Sequence, residues 1–197
     1  MLVTAGPTFE SLDPIRGITN HSSGKMGFAI ARAAQEAGAQ VTVVAGPVHL
    51  PTPRGVRRSD VVSALQMLDA VLPEAPQHDI FVATAAVADW RPATSAEHKI
   101  KKDGSGRPPA LAFAENPDIL ATVARLPTDR RPRGAGFAAG SHDRLWQARA
   151  KHVVQGVPPT TPIPGLATLR RDVKLLSLAA PAPRRGTPPA PNTVSEG

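Results

Sequence analysis

The apolar positions of this chain fall into short unbroken runs separated by amphipathic stretches. Leu2-Val3-Thr4-Ala5 stops at Gly6-Pro7-Thr8, as a strand buried on both faces stops at its carboxyl end. Val41-Thr42-Val43-Val44-Ala45 is β-branched and ends at Gly46-Pro47. Asp79 to Ala86 is a third such run, and Gly134-Ala135-Gly136-Phe137-Ala138 is a fourth, shorter one. Between them the period becomes helical. From Gly27 to Ala37, residues Phe28, Ile30, Ala31, Ala33 and Ala34 can cover one helical face, and Gly38 is a good stop. Asp60 can cap a helix reaching Leu72, with Val61, Leu65, Leu68 and Leu72 on one side. A further helix starts near Pro117-Asp118, and Leu145 to Lys151 reads as helical.

Buried strands that alternate with helices predict a parallel sheet covered on both faces. The expected class is α/β, with an open, mostly parallel, Rossmann-like three-layer sheet. Ligands of such sheets sit beyond the carboxyl ends of the strands. The residues to inspect therefore follow Ala5, Ala45, Ala86 and Phe137, which brings in Gly6-Pro7-Thr8, Asp89 and the loop after Phe137.

The stretch RGITNHSSGKMG, residues 16–27, belongs to the same rim. Its glycines, hydroxyls and lysine suggest a phosphate loop, yet six residues separate Gly17 from Gly24 and Met26 follows Lys25. A P-loop has four residues between its glycines and a Ser or Thr after the lysine. Two readings remain open. Gly24 and Gly27 can let the backbone approach an anion at a helix N-terminus, or Ser23 can cap the helix in a loop that binds nothing. A dinucleotide fingerprint fits worse: G-x-G-x-x-G is absent, and Ala45-Gly46 stands where an acidic ribose ligand is expected.

Composition narrows the classes further. A length of 197 residues allows one domain with an appendage. The absence of cysteine excludes disulfides, zinc-thiolate sites and thiol nucleophiles, and fits a reducing compartment. The opening MLVTAGPT lacks the features of a signal peptide, and no apolar run is long enough to span a membrane, so the expected location is the cytoplasm. The net charge of +7 invites a nucleic-acid reading, but residues 151–197 hold six of the basic residues and two acidic ones, leaving 17 and 14 before them. With two Trp, five Phe and no Tyr, stacking platforms for bases are scarce, and no nucleic-acid partner is expected. The six histidines lack metal-ligand spacing, and no nucleophile elbow is present. Glu10 and Asp13 form either an acidic pair or two loop and capping groups. The run His98-Lys99-Ile100-Lys101-Lys102 is either a solvated loop or a cationic element of a site.

Taken in order, LVTAGPTFESLDPIRGITNHSSGKMGFAIA, GAQVTVVAGPVHLPTP, ATAAVADWRP, HKIKKDG, NPDIL and GFAA resemble the phosphopantothenate–cysteine ligases of coenzyme A biosynthesis. The resemblance covers most of residues 1–151 and implies a two-step reaction. The carboxylate of 4′-phosphopantothenate attacks the α-phosphate of CTP, giving an acyl-cytidylate, and the amine of L-cysteine then displaces CMP. It implies Mg²⁺ carried with CTP, chiefly by phosphate oxygens, and no resident metal site in the protein. By resemblance, Asn20 and Arg16 act in converting the acyl-cytidylate, with Ala85 beside them, and Lys99 acts in forming it. Asn20, Ser22, Ser23, Gly24, Lys25 and Ala85 match the acyl-phosphate substrate site. Ala83, Thr84, Ala85, Asp89, Lys99, Pro117, Asp118, Ile119, Leu120, Phe137 and Lys151 match the nucleotide pocket.

In bacteria this ligase usually follows a flavin-dependent decarboxylase in one polypeptide, so the chain looks like the ligase half. The decarboxylase is then a separate protein or a missing fused domain. The pattern departs from the family at Gly140, where an acid is usual, and at Gln155, where a second basic residue is usual. From about His152 the chain turns rich in Pro, Ala and Arg, and the family's Asn-Asp strand is missing. The expected organisation is a ligase domain over 1–151 and an irregular Pro-rich tail over 152–197, disordered or produced by a shifted reading frame. In the family this region completes the sheet and helps form a homodimer. Two other readings compete: a catalytically impaired nucleotide-binding remnant and, further off, an NAD(P)-dependent oxidoreductase.

Overall fold

The computed structural model describes residues 1–102, 104–127, 129–138 and 174–175, the last five of the 129–138 segment and the final pair by backbone alone. Strand β1 (Leu2–Ala5) is buried throughout, as its unbroken apolar run requires. A short antiparallel hairpin follows, β2 (Phe9–Ser11) with β3 (Gly17–Thr19), and then helix α1 (Lys25–Glu36). Strand β4 (Val41–Ala45) leads through a helix-free crossover to β5 (Val56–Asp60). Helix α2 (Ala64–Glu74) precedes β6 (Ile80–Ala83). A second ribbon, β7 (Trp90–Pro92) with β8 (Phe113–Glu115), leads to α3 (Ile119–Ala124) and β9 (Arg133–Ala138). Lys174–Leu175 forms β10.

The main sheet has the order β10-β9-β6-β1-β4-β5, parallel except for β10, which runs against β9. The expected open parallel sheet is therefore present. Strand alternation sends Val3, Val43 and Val82 to a core with Phe28 and Ala31 of α1. It sends Leu2, Val44 and Phe81 to the opposite face, where Met67 and Val71 of α2 and Ile119 and Val123 of α3 cover them. The chain leaves central β1 toward β4 on one side and returns to β6 on the other. The crevice where that reversal occurs opens between the carboxyl ends of β1 and β6.

Several local expectations need correction. Asp60 ends a strand instead of capping a helix; the cap of α2 is Ser63, whose side chain accepts from Gln66 N while the Gln66 side chain returns a bond. Starting later turns the helix, so Ala64, Met67 and Val71 are buried and Leu65 is exposed. Strand β6 ends at Ala83, three residues before the expected limit. Strand β5 has only Val56 buried and runs along one side of the sheet, which hides it from an apolar-run reading. The Arg58 guanidinium braces the crossover before it, donating to Leu50 O at 2.7 Å and Val48 O at 3.3 Å, and stacks over Phe28. Within the 152–197 segment the described pair Lys174 and Leu175 lies antiparallel to Ala138 and Phe137 of β9. The Leu145–Lys151 helix, the departures at Gly140 and Gln155, and the proposed irregular tail otherwise lie outside the described residues.

Candidate functional site

At the carboxyl end of β1 the chain turns through Gly6, and Pro7 forms an isolated parallel bridge with Ala86 beyond β6. Ala86 N donates to Gly6 O at 2.8 Å, and Ala86 O accepts from Thr8 N at 3.2 Å. The same carbonyl accepts from Asn20 Nδ2 at 3.0 Å. A primary amide has two N–H groups, so this bond holds the exposed Asn20 side chain to the strand end and uses one of them. Thr8 is fully buried and holds the two walls together: its Oγ1 accepts from Ala88 N at 3.0 Å and its carbonyl accepts from Thr19 Oγ1 at 2.7 Å. Thr84 Oγ1 is engaged with Thr4 O at 2.5 Å, so Thr84 presents no free hydroxyl hydrogen to a ligand.

The loop 20–24 lies directly on these strand ends. Gly24 is the N-cap of α1 with φ 72°, and no side chain caps that helix. Ser23 does not take the capping position; Ser22 Oγ instead accepts weakly from Gly24 N at 3.4 Å. A left-handed residue is needed there, and a β-carbon on Gly24 would sit 3.3 Å from the Gly6 backbone. The first N–H groups of α1 thus remain open, with Lys25 exposed as its first residue. Orphan donors at the positive end of a helix dipole suit an anion. The other two α-helices among the described residues differ, since Ser63 caps α2 and Asp118 Oδ1 caps α3 by accepting from Ala121 N at 2.9 Å.

Asp13 and Arg16 form a second cluster. The Asp13 carboxylate is buried and accepts five N–H groups. Oδ1 takes Ile15 N at 2.9 Å and Arg16 N at 2.8 Å, closing a turn that Pro14 initiates. Oδ2 takes Arg16 Nε at 2.9 Å, Arg16 Nη2 at 2.6 Å and Ile100 N at 3.1 Å. Arg16 Nη2 also donates to Ile100 O at 2.7 Å. The Arg16 guanidinium, aided by the backbone donors, holds the Asp13 carboxyl well below the usual carboxylate range. Glu10, the other acid of this segment, accepts from Ala64 N at 2.9 Å and so satisfies the first turn of α2 from across the chain. Each acid is thus a loop or capping group, one of the two alternatives its sequence left open.

Asn116 joins the predicted nucleotide residues. Its N–H donates to Asp89 O at 2.8 Å, its buried Nδ2 donates to Ala88 O at 2.8 Å, and its Oδ1 accepts from Arg91 Nη1 at 3.3 Å. Asp89 and Pro117 are thereby neighbours at the mouth of the crevice, and Leu120 packs in the same cluster as Ala83 and Ala85. Ile119 points into the core, which leaves its backbone as the part that can face a ligand. Asn20 and Arg16 are not side by side. They stand at opposite ends of β3, about 13 Å apart along the strand. Arg16 instead lies against the lysine run, through Ile100. Phe137 is placed by backbone on β9, next to β6, and Lys151 lies outside the described residues.

Sequence reasoning placed Thr8 at the rim and offered Asp13 as a loop or capping acid, but missed Asn116, the backbone of Ile100 and the long-range bonds of Asp13 and Thr8. Asp13-Pro14 and Asn116-Pro117 are turn-initiating pairs that could have signalled two of them. Among the described residues no three His, Asp or Glu groups converge as metal ligands, and no helix is long and apolar enough to cross a membrane. A polar cleft of ≈ 480 Å³ lined by Gln35, Gln40, Arg57 and His78 sits at the opposite end of the sheet, near the start of β4.

Comparison with known proteins identifies the family and the fold. The family model for the DNA/pantothenate metabolism flavoprotein C-terminal domain matches residues 1–158. The chain is 58% identical over 153 residues to the coenzyme A biosynthesis bifunctional protein CoaBC of Vibrio cholerae, covering 78% of this chain and 38% of that protein. It is 53% identical over 154 residues to the Escherichia coli protein of the same name, again covering 78% and 38%. The chain therefore spans about two fifths of the length of these curated relatives. The crystal structure of the C-terminal domain of a CoaBC protein superposes with a TM-score of 0.68 at 38% identity, covering 79% of this chain and 72% of that one.

Proposed function

Since the chain belongs to the family of the DNA/pantothenate metabolism flavoprotein C-terminal domain, we propose that it joins 4′-phosphopantothenate to L-cysteine at the expense of CTP. The observation that carries this reading is the crevice between β1 and β6, where the amide of Asn20 and the uncapped start of α1 meet. The relatives' role in coenzyme A biosynthesis and the likeness to a CoaBC C-terminal domain support it.

In the first step a carboxylate oxygen of 4′-phosphopantothenate attacks the α-phosphorus of CTP. The bond to the β,γ-diphosphate breaks, pyrophosphate departs, and a mixed acyl-cytidylate anhydride remains. Two anions must meet and charge must move onto the leaving group, so fixed cations and backbone donors supply the main assistance. Lys99 is the residue we assign to this step, and the open N–H groups of α1, with Ser22, Ser23 and Lys25, receive phosphate or acyl-phosphate oxygens. We assign Ala83 to Ala85, Asp89 and Pro117 to Leu120 to the nucleotide side, and Phe137 and Lys151 to it by family resemblance alone. Mg²⁺ carried on the triphosphate, largely by phosphate oxygens and water, would supply charge neutralisation there.

In the second step the cysteine amine attacks the activated carbonyl, the acyl–phosphate bond breaks, CMP leaves, and the amine loses a proton to solvent. The free hydrogen of Asn20 Nδ2 donates to the carbonyl oxygen as negative charge builds there. Arg16 assists from the other end of β3. The product would pass to a flavin-dependent decarboxylase, fused in the bifunctional relatives or supplied separately.

Incubation with 4′-phosphopantothenate, CTP, Mg²⁺ and cysteine should give 4′-phosphopantothenoylcysteine, CMP and pyrophosphate in equal amounts. ATP in place of CTP tests the nucleotide. Acyl-cytidylate without product would instead favour the impaired-remnant reading, which the end of the family match at residue 158 makes specific. Absence of both would refute the ligase assignment.

A further inference from the structure

We propose that Asp13 is a positioning residue for Lys99, gripping the lysine loop through the backbone of Ile100. This rests on the ligase reading, in which Lys99 serves acyl-cytidylate formation. Residues 93–102 contain no helix or strand, so the lysine's place depends on how the segment is tethered. Ahead of Lys99, Ala96 N donates to Leu12 O at 2.9 Å. Behind it, Ile100 N donates to Asp13 Oδ2 at 3.1 Å and Ile100 O accepts from Arg16 Nη2 at 2.7 Å. Tethers on both sides of Lys99 therefore end on one turn, residues 12–16. That turn is itself rigid, because Asp13 is buried and Oδ1 closes it through Ile15 N and Arg16 N.

The two oxygens of Asp13 divide the work. Oδ1 holds the turn, whereas Oδ2 collects Ile100 N and two nitrogens of Arg16. Asp13→Asn can keep an oxygen at the Oδ1 position and so preserve the turn. At the Oδ2 position it sets an NH₂ group against three donors, which releases Arg16 and Ile100 together. The same clamp ties the residue assigned to the second step, Arg16, to the loop that serves the first.

The test uses the full chain with 4′-phosphopantothenate and CTP in single-turnover pyrophosphate release, and amide hydrogen exchange at Ile100. Asp13→Asn should slow pyrophosphate release per folded molecule roughly 10²-fold, the scale of a misplaced catalytic group, and speed exchange at Ile100. Glu10→Gln, which alters another buried acid but leaves the lysine loop tethered, should keep the wild-type rate per folded molecule. A purely structural role for Asp13 would lower both variants only through the folded fraction. Wild-type pyrophosphate release by folded Asp13→Asn would overturn the proposal. A wild-type chain without pyrophosphate release would refute the ligase reading by itself. Ile100 then decides the anchor alone: faster exchange in Asp13→Asn upholds it, and unchanged exchange overturns it.

Discussion

Asn20 has two amide hydrogens and one fixed partner, Ala86 O at 3.0 Å, and that arithmetic makes it a directed donor. Asn20→Asp replaces the donor with an acceptor facing both Ala86 O and the reacting carbonyl. Acyl-cytidylate should still form, while its aminolysis slows by roughly 10²–10³, as loss of one oxyanion donor does. Rapid-quench analysis with cysteine added second would read this directly; normal turnover would reduce Asn20 to a loop tether. Lys99→Gln should do the converse, abolishing pyrophosphate release while leaving the far-ultraviolet circular dichroism and melting temperature unchanged, because the side chain is exposed. Asp13 adds a pH prediction. Its carboxyl is held below the ordinary range by Arg16, so its contribution is complete above about pH 4 and is lost as pH falls below that. The stability difference between wild type and Asp13→Asn should be flat from pH 8 to 5 and shrink in acid. Asn20 and Lys99 were legible in the sequence through the motifs that surround them. The anchoring role of Asp13 was not, because it runs through the backbone N–H of Ile100, a residue 87 positions away.

Helix α1 meets the sheet at a close approach through Gly27. A β-carbon on Gly27 would lie 2.5 Å from Ala5 Cβ and 2.5 Å from Thr84 Oγ1. Neither neighbour can yield easily: Ala5 is in the core, and Thr84 Oγ1 is bonded to Thr4 O. Gly27→Ala should therefore cost about 1–3 kcal/mol as an overpacking change, a fall in melting temperature on the order of 5 °C. An unchanged melting temperature would show that α1 sits further from β1. The buried strands β1, β4 and β6 were readable because burial on both faces makes an unbroken apolar run. Strand β5 was not, since Arg57, Arg58, Ser59 and Asp60 give it a polar record. The β2–β3 and β7–β8 ribbons were also missed. Their three-residue strands carry no period long enough to detect, yet they position Arg16, Asn20 and Asp89.

At the scale of the molecule, the sheet order places a crevice between β1 and β6, with Asn20, Gly24, Gly27 and Thr84 beside it. The alternation of elements was enough to predict that location, since the crossovers from β1 must reverse somewhere. Sequence could not supply the order of the strands, because pairing depends on contacts between distant segments. The family match ends at residue 158, a few residues after the chain turns rich in Pro, Ala and Arg from about His152. If that change reflects a shifted frame, the alternative frame beyond codon 151 should encode a basic residue four positions after Lys151 and an Asn-Asp strand motif. Resequencing the gene decides it; neither feature in any frame would make the tail a genuine divergence. The central claim is that this crevice activates a carboxylate as its cytidylate before the amine arrives. Its most direct measurement is a rapid quench of the chain with α-labelled CTP, Mg²⁺ and 4′-phosphopantothenate, with cysteine withheld. The account predicts labelled acyl-cytidylate at up to one equivalent per site, converted to labelled CMP once cysteine is added. Pyrophosphate release that waits for cysteine, with no labelled intermediate, would contradict it.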